Sequence, residues 1–502
     1  METAILEQSG ELAPDDLKGI RWIDASKFVN RGSDGSLEIK STEGDLLNTV
    51  MPNDVNACII EFDSASITRI RPMGWKNSTT FFIDSKNVIF TYDYSSGMCD
   101  KVLSYPEEAT NKSFSEESGN LAYTIGNDVY VSTSSVDSVR VTHHGKGTVS
   151  AGVAIHRSEF GIRKGLFWSD DGSKLGFYEM DEAPVSEYPL ADYTSVPGTA
   201  SPIRYPMAGQ ASHHARVGVF DVESQETVYL EIDGPKDQYL TNFTFSPKAD
   251  IVYLAVVNRD QDHMKLNTYE SESGEFVKTI FEEKHAKYVE PENPPRFMPD
   301  GSFIWFSERD GFNHLYHYRE SGELIRQVTR GEYDVLQVVS TDKRGRKLTI
   351  LTTDGLMSRA VRIVDMKSGK TKRLDDREGS FTVYGDDETD LIVKYRSKDN
   401  PGEISSYNPS GKQAKLLLKA DNPLEKYEIG NIEFPVVAAD DGTPLQARLI
   451  KPYDFDPKKK YPVLVYVYGG PHAQMVRNDI RGGAPMWMFY AANRGYLVFT
   501  ID

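Results

Sequence analysis

Short runs of alternating apolar and polar residues recur along most of the chain, each following a turn rich in Asp, Lys, Pro and Gly. The clearest copy is Phe167-Trp168-Ser169-Asp170-Asp171-Gly172-Ser173-Lys174-Leu175-Gly176-Phe177. Weaker copies begin at Phe114 (FSEESGNLAY), Phe245 (FSPKADIVYL), Phe297 (FMPDGSFIWF) and Ser340 (STDKRGRKLTIL), and further ones at Ile83 (IDSKNVIF) and Tyr384 (YGDDETDLIV). A period of two residues marks a strand with one buried face, and an Asp/Gly turn ahead of it makes a hairpin. One hairpin cannot bury that face alone. Recurrence at roughly 30 to 55 residues, over about seven units, suits four short strands per unit, the blade of a β-propeller. A β-sandwich array or a β-solenoid is the competing architecture. Helical signals are nearly absent between residues 20 and 425, which excludes helical repeats. The long interval between Phe177 and Phe245 is where an inserted loop belongs.

The rhythm changes near residue 428. Ile432 to Val437 and Leu445 to Lys451 flank the turn Asp440-Asp441-Gly442-Thr443 and predict a hairpin. Tyr461 to Tyr468 is nearly continuous in apolar residues, as in a strand buried on both faces. It runs into Gly469-Gly470-Pro471-His472, then a stretch with helical spacing around Met486, Phe489 and Tyr490, then the strand-like Gly495 to Asp502. Strand, Gly-rich loop, helix, strand is how a parallel α/β sheet begins, with the loop at the carboxyl end of its strand. The expected division is an N-terminal segment over 1–20 packing on the α/β part, a β-propeller over 21–427, and the first strands of an α/β-hydrolase domain over 428–502. The fold class is therefore mainly β.

Composition narrows the partners. The formal charge of −18 argues against duplex nucleic acid or an anionic membrane surface, since both require clustered Lys and Arg. No run approaches the ~20 apolar residues of a membrane span, and the amino end carries no signal-peptide pattern. Two cysteines, Cys58 and Cys99, make neither a disulfide framework nor a zinc quartet, and the sequence leaves open whether they are bridged. His213-His214 lacks a third ligand at suitable spacing, and the Asp-Gly turns lack the alternating ligand series of a calcium loop. No metal and no cofactor is expected.

Three segments in order, RYPMAG (204–209), SERDGFNHLYHY (307–318) and KKKYPVLVYVYGGPHAQ (458–474), resemble the dipeptidyl peptidase IV family of prolyl oligopeptidase-like serine peptidases. The likeness covers nearly the whole chain and is strongest over 155–330 and 430–502. It implies an eight-bladed propeller, peptide substrates with proline near a free amino terminus, a periplasmic or extracellular setting, and a homodimer. It also implies two site residues. The family's tyrosine before the Gly-rich loop donates its phenol to the oxyanion of the tetrahedral intermediate, and the matching residue is Tyr468. Adjacent family glutamates on a short helix of the propeller bind the substrate's free amine; here the first position is Ser158 and only Glu159 remains. A single glutamate within HRSEFGIRKG, with YPMAGQASHH downstream, is more similar to the prolyl tripeptidyl aminopeptidases of the same family, so the cut is expected after residue two or residue three. The family arginine that contacts the substrate backbone has no clear match near Phe90 to Tyr94.

From residues alone, Tyr468 is equally a strand-end aromatic packed in a core, and Glu159 a solvated ion pair with Arg157 or Arg163. No G-x-S-x-G pentapeptide occurs. Because α/β-hydrolases place Ser, Asp and His after the Gly-rich strand, the triad is expected beyond Asp502 and the 502-residue chain is expected to be inactive by itself. A non-catalytic propeller scaffold, or a relative acting on amino-blocked peptides, are the other readings.

Overall fold

A computed structural model describes residues 10–62, 65–387, 389–408, 410–470 and 473–502. The expected N-terminal segment falls partly outside these residues, as do Pro471 and His472 of the Gly-rich loop. The chain forms two compact units, one from residues 34–36 and 50–327 and one from residues 1–33, 37–49 and 328–502.

The recurring turn has a common hydrogen bond. Ser115 N–H donates to Asn120 O (2.9 Å), Ser169 N–H to Lys174 O (2.9 Å), Ser246 N–H to Ile251 O (2.7 Å) and Asp342 N–H to Lys347 O (3.0 Å). The copy at Phe297 is one residue tighter, closing from Met298 N–H to Ser302 O (2.7 Å). In the best copy Asp171 Oδ1 accepts from Ser173 N–H (3.0 Å), and Gly172 takes the left-handed φ of 68° that the reversal needs.

These turns build successive antiparallel sheets. In the unit of 50–327 five sheets cover 74–104, 110–140, 149–229, 239–284 and 296–327. In the other unit three more cover 18–50, 335–373 and 380–419. Seven of the eight have four strands and that of 149–229 has five. The class is mainly β and the sheets are those of a β-propeller, in agreement with the hairpin repeat.

The repeat predicts one buried face per strand, whereas the inner strands are buried on both. Ile251–Val257 is buried at every position after the first, and Lys174–Asp181 at its first six. The reason is that sheets within a unit pack face to face. Phe82, Ile89 and Leu103 meet Leu121 and Tyr123 of the next sheet, and Ala122, Val129 and Val131 meet Leu166 and Phe177 of the one after. Ile20 and Phe28 of the sheet of 18–50 pack with Ile392 and Ile404 of the sheet of 380–419, so the first and last blades adjoin. The Lys394 ammonium fastens the same pair, donating to Leu17 O (2.6 Å) and pairing with Asp16 (2.7 Å).

The long interval after Phe177 is a two-stranded hairpin, Glu187–Asp192 with Thr199–Arg204, whose strands are exposed at nearly every position. A helix the sequence rhythm did not announce, α1 (Pro52–Ile59), departs from the near absence of helical signal. Pro52 opens it without losing a needed donor, and the Asp54 carboxylate accepts from Met51 N–H (2.8 Å). Cys58 at its end is disulfide-bonded to Cys99, 41 residues away on the strand Met98–Ser104.

The last sheet differs in kind. Pro444–Lys451 pairs antiparallel with Leu497–Ile501, which pairs in parallel with Val463–Val465, and α2 (Met486–Asn493) lies between the two parallel strands in sequence. Its core is Ile450, Met488, Phe489, Ala492 and Val498. Fully buried Arg448 donates to Met475 O (2.9 Å), Gly482 O (2.6 Å) and Thr500 Oγ1 (2.9 Å). The expectation of a strand from Tyr461 to Tyr468 buried on both faces is not met. Only Val463–Val465 is strand; Leu464 packs on the core of this sheet, whereas Val463 and Val465, 55% and 61% exposed, share the opposite face, which no described residues cover.

Candidate active site

Glu159 sits at the end of an unusual turn. His156, Arg157 and Ser158 all have positive φ (53°, 55° and 65°), Glu159 is extended (φ −69°, ψ 170°), and Phe160 and Gly161 return to 55° and 68°. Left-handed backbone costs a non-glycine residue about 1 to 2 kcal/mol. Four such residues in five therefore require strong fixing from outside.

The fixing comes from a buried imidazole pair. Leu240 N–H donates to His156 Nε2 (2.9 Å), which puts the ring proton of His156 on Nδ1 and aims it at His213 Nε2 (2.9 Å). The backbone N–H of His156 also points at that Nε2 (3.3 Å). Both histidines are 4% exposed, and the Tyr239 ring packs edge-on against His156 and tilted against Phe160. Burial, first, and the neighbouring cations Arg157, Arg259 and His214 push the His213 imidazole down to about 4. Burial pushes His156 well below its ordinary value as well, helped by His213 and Arg259. Both rings are neutral near pH 7.

On the other side of the turn Gly161 lies against the backbone of Glu292, and Phe160 is buried. The side chains of Arg157, Ser158 and Glu159 remain exposed. The expected ion pair of Glu159 with Arg157 or Arg163 does not form. Arg157 instead donates to Arg204 O, approaches Glu182 (3.7 Å) and lies over the Tyr205 ring (5.0 Å). Among the described residues Glu159 has no ion-pair partner, so its carboxylate is open to a ligand. The hydrogen bond to Arg204 also gives RYPMAG a structural part: its first residue holds the Glu159 turn.

Tyr468 belongs to the other unit, three residues past the strand Val463–Val465, and is followed by Gly469 at φ 68°. It is 63% exposed and not packed in a core, which corrects the alternative drawn from the residues alone. Its ring lies against the backbone of Gly470, where an added Cβ would stand 2.6 Å from Tyr468 Cε1.

A family model described as the dipeptidyl peptidase IV N-terminal region matches residues 77–402. The chain belongs to the dipeptidyl peptidase IV family. Among curated proteins it is similar to the probable dipeptidyl-aminopeptidase B of Phaeosphaeria nodorum, 26% identical over 436 residues covering 78% of this chain and 47% of the relative. The namesake from Sordaria macrospora is 25% identical over 467 residues, covering 83% of this chain and 49% of the relative. The chain thus spans about half the length of the curated relatives it matches. Among solved structures, a dipeptidyl aminopeptidase IV candidate from Bacteroides ovatus superposes with a TM-score of 0.89 at 33% identity, covering 98% of this chain and 72% of the other. The dipeptidyl peptidase 4 of Porphyromonas gingivalis gives a TM-score of 0.80 at 23% identity, covering 100% of this chain and 73% of the other, and supports the fold.

In the sequence His213 stands out only as half of a His-His pair, and nothing marks His156 beyond its place in the segment that carries Glu159. Spacing could not reveal the pairing, because the rings are 57 residues apart and meet only through the sheet.

Proposed function

We propose that the full-length protein containing this chain is a proline-specific serine exopeptidase that releases di- or tripeptides from free amino termini. The observation that carries the reading is Glu159, an exposed carboxylate without an ion-pair partner among the described residues, on a turn of the propeller held by buried groups. A fixed carboxylate suits a substrate ammonium, and a blocked or internal peptide supplies no such charge. A carboxylate that binds the amine at a set distance from the nucleophile counts residues.

Catalysis follows the acyl-enzyme scheme. A serine of the full-length protein attacks the carbonyl carbon of the proline, a histidine takes the serine's proton and gives it to the leaving amine, and an aspartate orients the histidine. Water activated by the same histidine then hydrolyses the acyl-serine ester and frees the serine. Tyr468 donates a hydrogen bond from its phenol to the oxyanion, and a donor aimed at the developing charge lowers the barrier by roughly 3 to 4 kcal/mol. Ser158 in place of a second glutamate favours tripeptide over dipeptide release.

The Cys58–Cys99 disulfide supports a periplasmic or extracellular setting, since such bonds persist where thiols oxidise. The exposed hairpin of 187–204, with Tyr193 86% and Val196 100% exposed, supports a homodimer. The test is product length. Full-length enzyme is incubated with two free-amine peptides, proline second in one and third in the other, and the fragments are weighed by mass spectrometry. Release of a tripeptide from the second is expected; cleavage of neither, or equal cleavage of their amino-acetylated forms, overturns the reading.

A further inference from the structure

We propose that His156 and His213 are positioning residues for substrate binding: their hydrogen-bonded neutral pair holds the left-handed turn that presents the Glu159 carboxylate. The inference rests on the reading that Glu159 binds the substrate amine.

Besides this pair, the Arg157 bond to Arg204 O and the contact of Gly161 with Glu292 hold the turn. Within it Ser158 N–H donates to Ile155 O (3.1 Å) and Glu159 N–H to His156 O (3.1 Å), bonds that many right-handed turns also make. The side chain of His156 faces inward at the start of the turn, while Arg157, Ser158 and Glu159 face solvent. Its two ring nitrogens are both engaged, Nε2 by Leu240 N–H and Nδ1 by His213 Nε2. Because an N–H must donate to Nε2, only the Nδ1-protonated neutral ring satisfies both contacts. His213 Nε2 accepts from the ring and the main chain of His156 together, and so fixes the dihedrals at the start of the turn.

Burial first, and then the charges around the pair, keep it neutral. Arg259 and Arg157 act on it from adjacent segments, His214 from the next residue, and no carboxylate is among the groups that act on either ring. Tyr239 closes it off as a ring contact, with its hydroxyl accepting from Arg259. A protonated His213 would turn its Nε2 from acceptor to donor and face two N–H groups. The pair is therefore a hydrogen-bonded support, not a proton relay.

The experiment uses the full-length enzyme and a free-amine X-X-Pro reporter, with kcat and KM measured separately. His213→Asn is too short to reach His156, whereas His213→Gln places an acceptor oxygen near the position of Nε2. His213→Asn is expected to raise KM about tenfold, or about 1.4 kcal/mol, with kcat within about twofold, and His213→Gln is expected to restore most of the loss. Glu159→Gln run alongside separates the two claims. If Glu159→Gln leaves KM unchanged, the amine-anchor reading fails. If Glu159→Gln raises KM while His213→Asn does not, or if His213→Asn lowers kcat and KM is untouched, the positioning role is overturned. Should His213→Asn fail to fold, His213→Gln decides: near-normal KM supports the acceptor role, and a KM as high as that of Glu159→Gln contradicts it.

Discussion

Gly161 stands so close to Glu292 that a Cβ added to it would lie 2.2 Å from the Glu292 carbonyl oxygen. Its φ of 68° adds a second reason for glycine. Gly161→Ala must strain the backbone or move the segment at Glu292, at a cost of about 2 to 4 kcal/mol. Chemical denaturation is expected to show a lower midpoint for this variant, and an unchanged midpoint would show that the contact is absent.

The bond between Cys58 and Cys99 closes a loop across a separation of 41 residues. Constraint of the unfolded chain by a loop of that size is worth about 4 kcal/mol. Cys58→Ser with Cys99→Ser is expected to lose that much stability, and the wild type in reductant should match the double variant. Equal unfolding curves with and without reductant would deny the bond.

Stability should also fall in mild acid. The His213 imidazole is held down to about 4 in the folded protein against about 6.5 when unfolded, so between these values the unfolded chain binds the proton and the folded one does not. The contribution is complete above about pH 6.5 and shrinks by up to about 3 kcal/mol as pH falls to about 4. His156 shifts in the same direction. Unfolding measured across this window is expected to be less pH-dependent in His213→Gln than in wild type; parallel profiles would remove His213 from the account.

Tyr468 is exposed three residues past the strand Val463–Val465, so removing its hydroxyl should disturb little packing. In the full-length enzyme Tyr468→Phe is expected to lower kcat by about a hundredfold or more with a small change in KM, as for a donor used mainly in the transition state. A loss confined to KM would assign Tyr468 to ground-state binding instead.

What the sequence made legible follows from local physics. The turn at Ser169 to Lys174 and its copies at Ser115, Ser246 and Asp342 share one hydrogen bond, so a local pattern was enough to find the blades. The double-sided burial of Ile251–Val257 was not legible, because it depends on neighbouring sheets rather than on period two. Helix α1 was missed because its eight residues give a short signal anchored by Pro52 and Asp54. Glu159 was found through resemblance and its support was not, since His156 and His213 meet across 57 residues of chain. The exposure of Val463 and Val465 shows the reverse case, in which an apolar run predicts burial on two faces and the described residues cover only the face of Leu464.

The claim that Glu159 reads a free amino terminus is tested most directly by one ratio: kcat/KM for a free-amine X-X-Pro reporter over that for its amino-acetylated form, in wild-type and Glu159→Gln full-length enzyme. Loss of a charge-assisted contact worth about 2 kcal/mol should cut the ratio about thirtyfold, through the free-amine substrate alone. A ratio that is the same in both enzymes would contradict the account.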